Sequence, residues 1–156
     1  YIPKPFNTTH LKVRIRKLLE YHQKLHNIFK SNSSSDLLNE TEMPDSDKEF
    51  LTRLMQVIEQ NLEYVELNAV FLEKEFCMSK MQLYRKLKTL TGMTPGEFIT
   101  HLRLMATARL LTTTNFNVSE IFLRTGFNNQ SYFFREFKKM YNCSPNEFRE
   151  KNAVRR

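Results

Sequence analysis

The sequence predicts an all-α fold: a seven-helix domain in which one helix-turn-helix unit occurs twice, joined by a linker helix. Three observations carry that expectation. Glycine is scarce, at 3 of 156 residues, against 13 phenylalanines, and no stretch alternates apolar and polar residues as a half-buried strand does. Helix start and stop signals recur along the second part of the chain. Finally, Leu72, Met78, Ser79, Leu83, Arg85, Leu87, Lys88, Thr94, Pro95, Glu97 and Phe98 reappear as Ile121, Phe127, Asn129, Phe133, Arg135, Phe137, Lys138, Ser144, Pro145, Glu147 and Phe148. The offset is 50 from Ser79 onward and 49 before it. The added residue falls in a turn, where solvent-facing backbone absorbs it without disturbing packing.

Each element follows from its own signals. Ser46-x-x-Glu49 has the form of a capping box, in which both side chains satisfy amides left without partners at a helix start. It predicts a helix over 46–62, with Phe50, Leu54, Val57, Ile58 and Leu62 at helical spacing; a second helix is expected over 68–75. Ser79-x-x-Gln82 opens a third over 79–90, ended by Gly92, which tolerates the left-handed conformation. Thr94-x-x-Glu97 opens the fourth over 95–112, with Pro95 at the first helical position, where a missing amide costs nothing. That helix carries Phe98, Leu102, Met105, Ala106, Arg109 and Leu110 and connects the two repeats, fixing the spacing between them. Asn117-x-x-Glu120 starts a fifth over 118–124. A sixth, over 130–141, ends at Asn142, and Ser144-x-x-Glu147 with Pro145 starts a seventh over 145–151.

Charge divides the chain more sharply than its net +7 conveys. Residues 1–30 hold seven Lys/Arg and one Glu, for +6; residues 31–47 hold five acids and no base, for −5. Residues 48–156 hold 17 Lys/Arg and 11 acids, again +6. Three regions result: 1–30, a Ser-rich acidic linker over 31–45 that includes Pro44, and the helical domain over 46–152. Two basic blocks point to nucleic acid or an anionic surface. The opening at Tyr1 falls in the middle of a pattern, as in a piece of a longer protein. Cys77 and Cys143 lack any metal spacing and read as reduced thiols, which together with the absence of a long apolar run suggests a cytoplasmic setting.

A helix-turn-helix reads duplex DNA through side chains near the start of its second helix, inserted in the major groove. In the first copy Leu83 and Leu87 are spaced to face the core, leaving Lys80, Met81, Gln82, Tyr84, Arg85 and Lys88 outward. In the second, Phe133 and Phe137 anchor, leaving Gln130, Ser131, Phe134, Arg135, Lys138 and Lys139. Arg85 and Arg135 are equivalent and suit a bidentate guanine contact or a phosphate clamp; Lys88 and Lys138, a turn further, suit phosphates. One basic helix face is usually only solvated. Two copies with matched caps and arginines favour two reading heads on one duplex.

The run Val118-Ser-Glu-Ile-Phe-Leu-Arg-Thr-Gly-Phe127, then Ser131-Tyr-Phe-Phe-Arg-Glu-Phe-Lys-Lys139 and Ser144-Pro-x-Glu-Phe148, resembles the C-terminal signature of AraC/XylS transcription regulators; Arg103-Leu104 and Leu110-Leu111 fit its linker helix. The likeness spans roughly 46–150. It implies base-edge contacts from Met81, Gln82, Arg85, Gln130, Ser131 and Arg135, and phosphate contacts from Ser79, Lys80, Lys88, Asn129, Lys138 and Lys139. Cys77 departs from the pattern where a turn glycine is common, Thr107 where alanine is usual, and Asn142 where glycine is frequent.

Tyr1-Ile-Pro-Lys-Pro-Phe6, followed by a basic amphipathic stretch with Leu11, Ile15, Leu18 and Leu19, resembles the tail of a phosphoacceptor receiver domain. The resemblance implies a truncated receiver ending in its final helix, with Lys4 as the phosphoryl-contacting lysine, Pro5 permitting a cis bond, and the phosphorylated aspartate upstream. Together the two likenesses imply the output end of a response regulator or hybrid two-component sensor, partnered by a receiver and histidine kinase module, and acting as an activator on promoter DNA with RNA polymerase as a further partner. Leu11, Ile15, Leu18, His22, Leu25 and Phe29 also form a coiled-coil seam that would pair two chains through the 9–30 helix. Packing on a receiver sheet accounts for Leu11 to Leu19 equally well, though not for Leu25 and Phe29. His22 and His26 lack a third metal ligand nearby, and Glu59, Glu63 and Glu66 sit at ordinary exposed helical spacing. The sequence shows no catalytic constellation and calls for no cofactor or metal. The competing reading is a helical module that binds protein, or DNA without sequence preference.

Overall fold

The computed structural model describes residues 44–153, and within them every regular element is a helix: α1 (Asp45–Gln60), α2 (Ala69–Glu75), α3 (Lys80–Thr91), α4 (Pro95–Thr113), α5 (Val118–Arg124), α6 (Gln130–Tyr141) and α7 (Pro145–Ala153). The expected Lys4–Pro5 motif, the 9–30 helix and the linker up to residue 43 lie outside the described residues.

Helix boundaries follow the capping chemistry. Ser79 with Gln82, Thr94 with Glu97, and Asn117 with Glu120 form reciprocal capping boxes, and Ser144 exchanges the same pair of bonds with Glu147. Asn68 and Asn129 cap α2 and α6 by accepting single amides. Gly92 and Asn142 both end their helices in the left-handed conformation. The Ser46-x-x-Glu49 box does not form. Pro44 stands at the N-cap with φ −54° and no side-chain cap bond, so α1 starts at Asp45. The physical reason is local: Pro44 O already accepts the amides of Asp47 and Lys48 at 2.9 and 3.2 Å, leaving Ser46 inside the first turn. Asp45 and Asp47 supply the negative charge that the helix N-terminus favours.

Two cores stand on one helix. Leu51, Leu54, Ile58, Leu72, Leu83 and Leu87 pack with Phe98 and Leu102 from the first half of α4. Ile121, Phe127, Phe133 and Phe137 pack with Leu104, Ala108 and Leu111 from its second half. α4 therefore changes its buried face near Arg103, and buried residues occur all round it. A helix buried on one stripe would serve one core; this one serves two. The second core is largely aromatic, with Phe133 within 5.0 to 6.1 Å of Phe127, Phe122 and Phe137 at tilted or edge geometries.

Polar ties cross between the two halves. Arg103 of α4 donates from Nη2 to Tyr64 O (2.9 Å) in the α1–α2 turn, and its guanidinium faces the Phe127 ring at 5.9 Å. Burial lowers the pKa of Arg103 from its ordinary value. Thr100 and Tyr132 join α4 to α6 through their hydroxyls at 3.2 Å. Thr107, the departure from alanine, is fully buried, donates to Arg103 O (2.9 Å) and meets the Thr125 hydroxyl at 3.3 Å. Arg149 of α7 donates to Leu111 O and Phe116 O, closing the C-terminal end of α4, which has no basic residue in its own last turn.

Candidate nucleic-acid interface

The two recognition helices present matching faces because their anchors are matched. Leu83 and Leu87 of α3, and Phe133 and Phe137 of α6, are each 0% exposed. Spacing of i, i+4 on one side then turns the remaining side chains outward. Met81, Gln82, Arg85, Gln130, Ser131 and Arg135 are all exposed, as are Ser79, Lys80, Lys88, Asn129, Lys138 and Lys139. Large apolar side chains stand among them: Met81 is 56% exposed, and Tyr84 and Phe134, equivalent in the repeat, both face solvent.

Side-chain bonding restricts what several of these groups offer. Gln82 Oε1 accepts the Ser79 amide at 2.9 Å, which commits one of its two lone pairs to the cap and leaves both Nε2 donors. Ser79 Oγ and Asn129 Oδ1 accept the amides of Gln82 and Tyr132, at 3.3 and 2.8 Å, which leaves a hydroxyl and an amide group as donors at the helix starts. The two arginines differ. Arg135 pairs with Glu136 at 3.2 Å and lies over the Tyr132 ring at 5.2 Å, whereas Arg85 makes no ion pair among the described residues. The position equivalent to Glu136 is Lys86, and it turns inward to Asp47 (3.3 Å) and the Phe50 ring (4.6 Å). Glu136 also reaches Lys139 at 3.7 Å.

Helical spacing alone gives no role to Tyr132 or Glu136. The i, i+3 spacing of Tyr132 and Arg135 allows the stacked arginine but does not require it. Nothing in the sequence pairs Tyr132 with Thr100, 32 residues earlier.

Charge over the domain is polarised. Residues 80–156 hold 14 Lys/Arg and five acids, while residues 59–75 hold five acids and a single lysine. The remaining exposed large apolar side chains lie off the recognition helices: Leu123 on α5, Val70 on α2, and Tyr64 and Val65 in the α1–α2 turn. There Glu59, Glu63, Tyr64 and Arg124 line an open cleft of about 610 Å³.

Two helix-turn-helix units on one linker helix, each presenting a basic second helix, define a double helix-turn-helix DNA-binding domain of the kind found in transcription regulators. A family model described as "Helix-turn-helix domain" matches residues 72–151, half of the chain, and the chain belongs to this family in its AraC/XylS form. It is 31% identical over 151 residues to histidine kinase P4 of Formosa agariphila, covering 97% of this chain and 11% of the kinase. It is 38% identical over 76 residues to the HTH-type transcriptional regulator MtrA of Neisseria gonorrhoeae, covering 49% of this chain and 25% of MtrA. The chain thus spans a small part of either relative. Among solved structures, the C-terminal domain of AraT, a response regulator from Geobacillus stearothermophilus, superposes with a TM-score of 0.59 at 29% identity, covering 64% of this chain and 83% of that one. No helix among the described residues is long and apolar enough to cross a membrane.

Proposed function

We propose that this chain is the DNA-reading output of a phosphorelay response regulator or hybrid sensor, placing α3 and α6 in successive major-groove segments on one face of promoter DNA. The observation that carries the reading is the pair of equivalent outward helix faces held on a shared α4. α4 is 19 residues, or roughly 28 Å, long. That is comparable with the ~34 Å between adjacent major-groove segments. A mismatch between rigid heads and straight duplex is relieved by bending the DNA.

Base edges are met by Met81, Gln82 and Arg85 from one head and Gln130, Ser131 and Arg135 from the other. With its oxygen partly engaged in the cap, Gln82 donates through Nε2, favouring purine N7 or thymine O4; Met81 suits a thymine methyl. Arg135, preoriented by Glu136 and Tyr132, suits bidentate guanine contact. Ser79, Lys80, Lys88, Asn129, Lys138 and Lys139 hold phosphates and set register.

The two-component part rests on different support. The likeness to the histidine kinase runs over 97% of this chain, so it takes in most of residues 1–30 and the linker, whereas MtrA matches 49%. That suits a receiver ending at residue 30 upstream of the DNA-binding domain, a cytoplasmic location, and phosphorylation-driven pairing of two chains through residues 9–30 to activate RNA polymerase at a promoter.

Selection of binding sites from a random duplex pool at two salt concentrations tests the DNA reading. Two short elements about one turn apart are expected. Salt-sensitive binding with no enriched motif would reduce the domain to a non-specific basic module.

A further inference from the structure

We propose that the acidic, apolar-studded face at the α1–α2 turn and α5 is an intramolecular docking site for the chain's own basic segment, residues 9–30, with Leu25 and Phe29 as its apolar anchors. Three observations converge. Of the eight exposed large apolar side chains, four lie on the recognition helices; of the other four, Tyr64 and Val65 stand in this turn, Val70 on α2 and Leu123 on α5. The reading heads account for the first group; nothing in DNA recognition uses the second. Contiguity of Tyr64 with α5 is direct, since Arg124 lines the same cleft and reaches Glu63 at 3.9 Å.

Charge complementarity names the occupant. The cleft carries Glu59 and Glu63 beside a single cation, Arg124, and residues 59–75 hold five acids and one lysine. Residues 9–30 carry six Lys/Arg and one Glu, with apolar residues at steps of four and three. A polyanion is excluded from such a face, whereas a basic amphipathic segment satisfies both its charge and its apolar side chains. Leu25 and Phe29 are the two seam positions that a receiver sheet leaves unexplained.

Connectivity permits it. Residues 31–44 provide 14 linking residues, whose root-mean-square span as a flexible chain is about 21 Å. α1, 16 residues and roughly 24 Å long, separates the end of that linker from the cleft. A linker whose mean span matches the distance gives near-maximal effective concentration. Docking occupies Leu25 and Phe29, so it competes with pairing of two chains along the same seam. The segment is then held in one chain until something upstream draws it off.

Cross-linking of the full 156-residue chain tests this. Cys77, exposed at φ +50°, is first replaced by Cys77→Gly; Cys143 is buried and stays. Leu25→Cys is then combined with Leu123→Cys on the acidic face or, as a control, with Tyr84→Cys on the recognition face. Under mild oxidation the first pair is expected to close within one chain at least tenfold faster than the control. Glu59→Lys with Glu63→Lys should cut that rate at least fivefold, with helix content unchanged by circular dichroism. Raised salt, which needs no further substitution, should slow it similarly. Equal rates for the two pairs, indifference to both charge reversal and salt, or disulfides forming mainly between chains would each overturn the proposal.

Discussion

Gly126 offers a severe test of how the two heads are held. Its φ is +72°, and a Cβ built there would meet Leu62 O at 2.0 Å and the Arg103 guanidinium at 2.9 Å. Gly92 has nearly the same φ, +73°, but nothing within 4 Å of its absent Cβ. The pair therefore separates conformational strain from close approach. Gly92→Ala should cost only the left-handed penalty, about 1 to 2 kcal/mol. Gly126→Ala bears that penalty and must also displace backbone, which breaks the charge-assisted Arg103–Tyr64 bond, itself worth about 1.5 to 3 kcal/mol. Its total should reach roughly 3 to 5 kcal/mol, a large part of the 5 to 15 that a domain has. Urea unfolding followed by circular dichroism reads both values. Because this tie between the halves is lost, Gly126→Ala should also lower the denaturant slope or split the transition. At Cys77, the equivalent turn position, φ is +50° but the side chain is exposed, so Cys77→Gly should change stability by no more than about 1 kcal/mol. If Gly126→Ala costs no more than Gly92→Ala, the close approach is not what holds the halves together.

Three further outcomes are expected. Arg85→Ala and Arg135→Ala should each cost about 1 to 3 kcal/mol of sequence discrimination, whereas Lys88→Ala should weaken all duplexes alike and lower the salt slope by about one, as read by fluorescence anisotropy over a salt series. Burial pushes the Tyr141 phenol up from 10.0 to about 12, and its hydroxyl has no hydrogen-bond partner among the described residues. For an acid raised on folding, the unfolded chain loses its proton first, so stability is whole below pH 10, declines as pH rises from 10 to about 12, and falls no further from this group; Tyr141→Phe should remove that decline, about 2 to 3 kcal/mol, in alkaline urea titrations. Arg149→Met should cost roughly 3 kcal/mol by freeing the carbonyls of Leu111 and Phe116, and Arg149→Lys should not recover it, because one ammonium lacks the guanidinium's fork.

Local signals made most of this fold legible. Every helix begins or ends within two residues of its expected position, because caps, Pro95, Pro145, Gly92 and Asn142 act on their own neighbours. The failure at Ser46 has the same origin. A serine three residues before a glutamate is a capping box only if the serine stands outside the helix, and Pro44, two residues earlier, starts the helix first. The outward faces of α3 and α6 were legible for a similar reason, since two anchors per helix fix the rest. What stayed hidden depends on distant partners: Arg103 on Tyr64, Thr100 on Tyr132, Arg149 on Leu111 and Phe116. No spacing rule links residues 30 or 40 positions apart.

Those distant ties explain why two copies of one unit have diverged where they have. The first copy can keep a cysteine at its turn because that turn faces solvent, while the second turn lies against Leu62 and Arg103 and tolerates only glycine. Position 86 of α3 faces α1 and is a lysine paired with Asp47, whereas position 136 of α6 is a glutamate that serves Arg135 and Lys139. The consequence for reading DNA is an asymmetry between heads. Arg135 is held by Glu136 and the Tyr132 ring, and Tyr132 is in turn tied to α4, so on the proposed reading its guanidinium is restrained before DNA binds. Arg85 has no such ion pair or ring contact among the described residues, and on the same proposed reading it would be ordered on binding. Preorganisation lowers the entropic cost of a contact, so the second head should discriminate more sharply at its arginine position. Glu136→Gln, which frees Arg135 without moving the backbone, should narrow that difference.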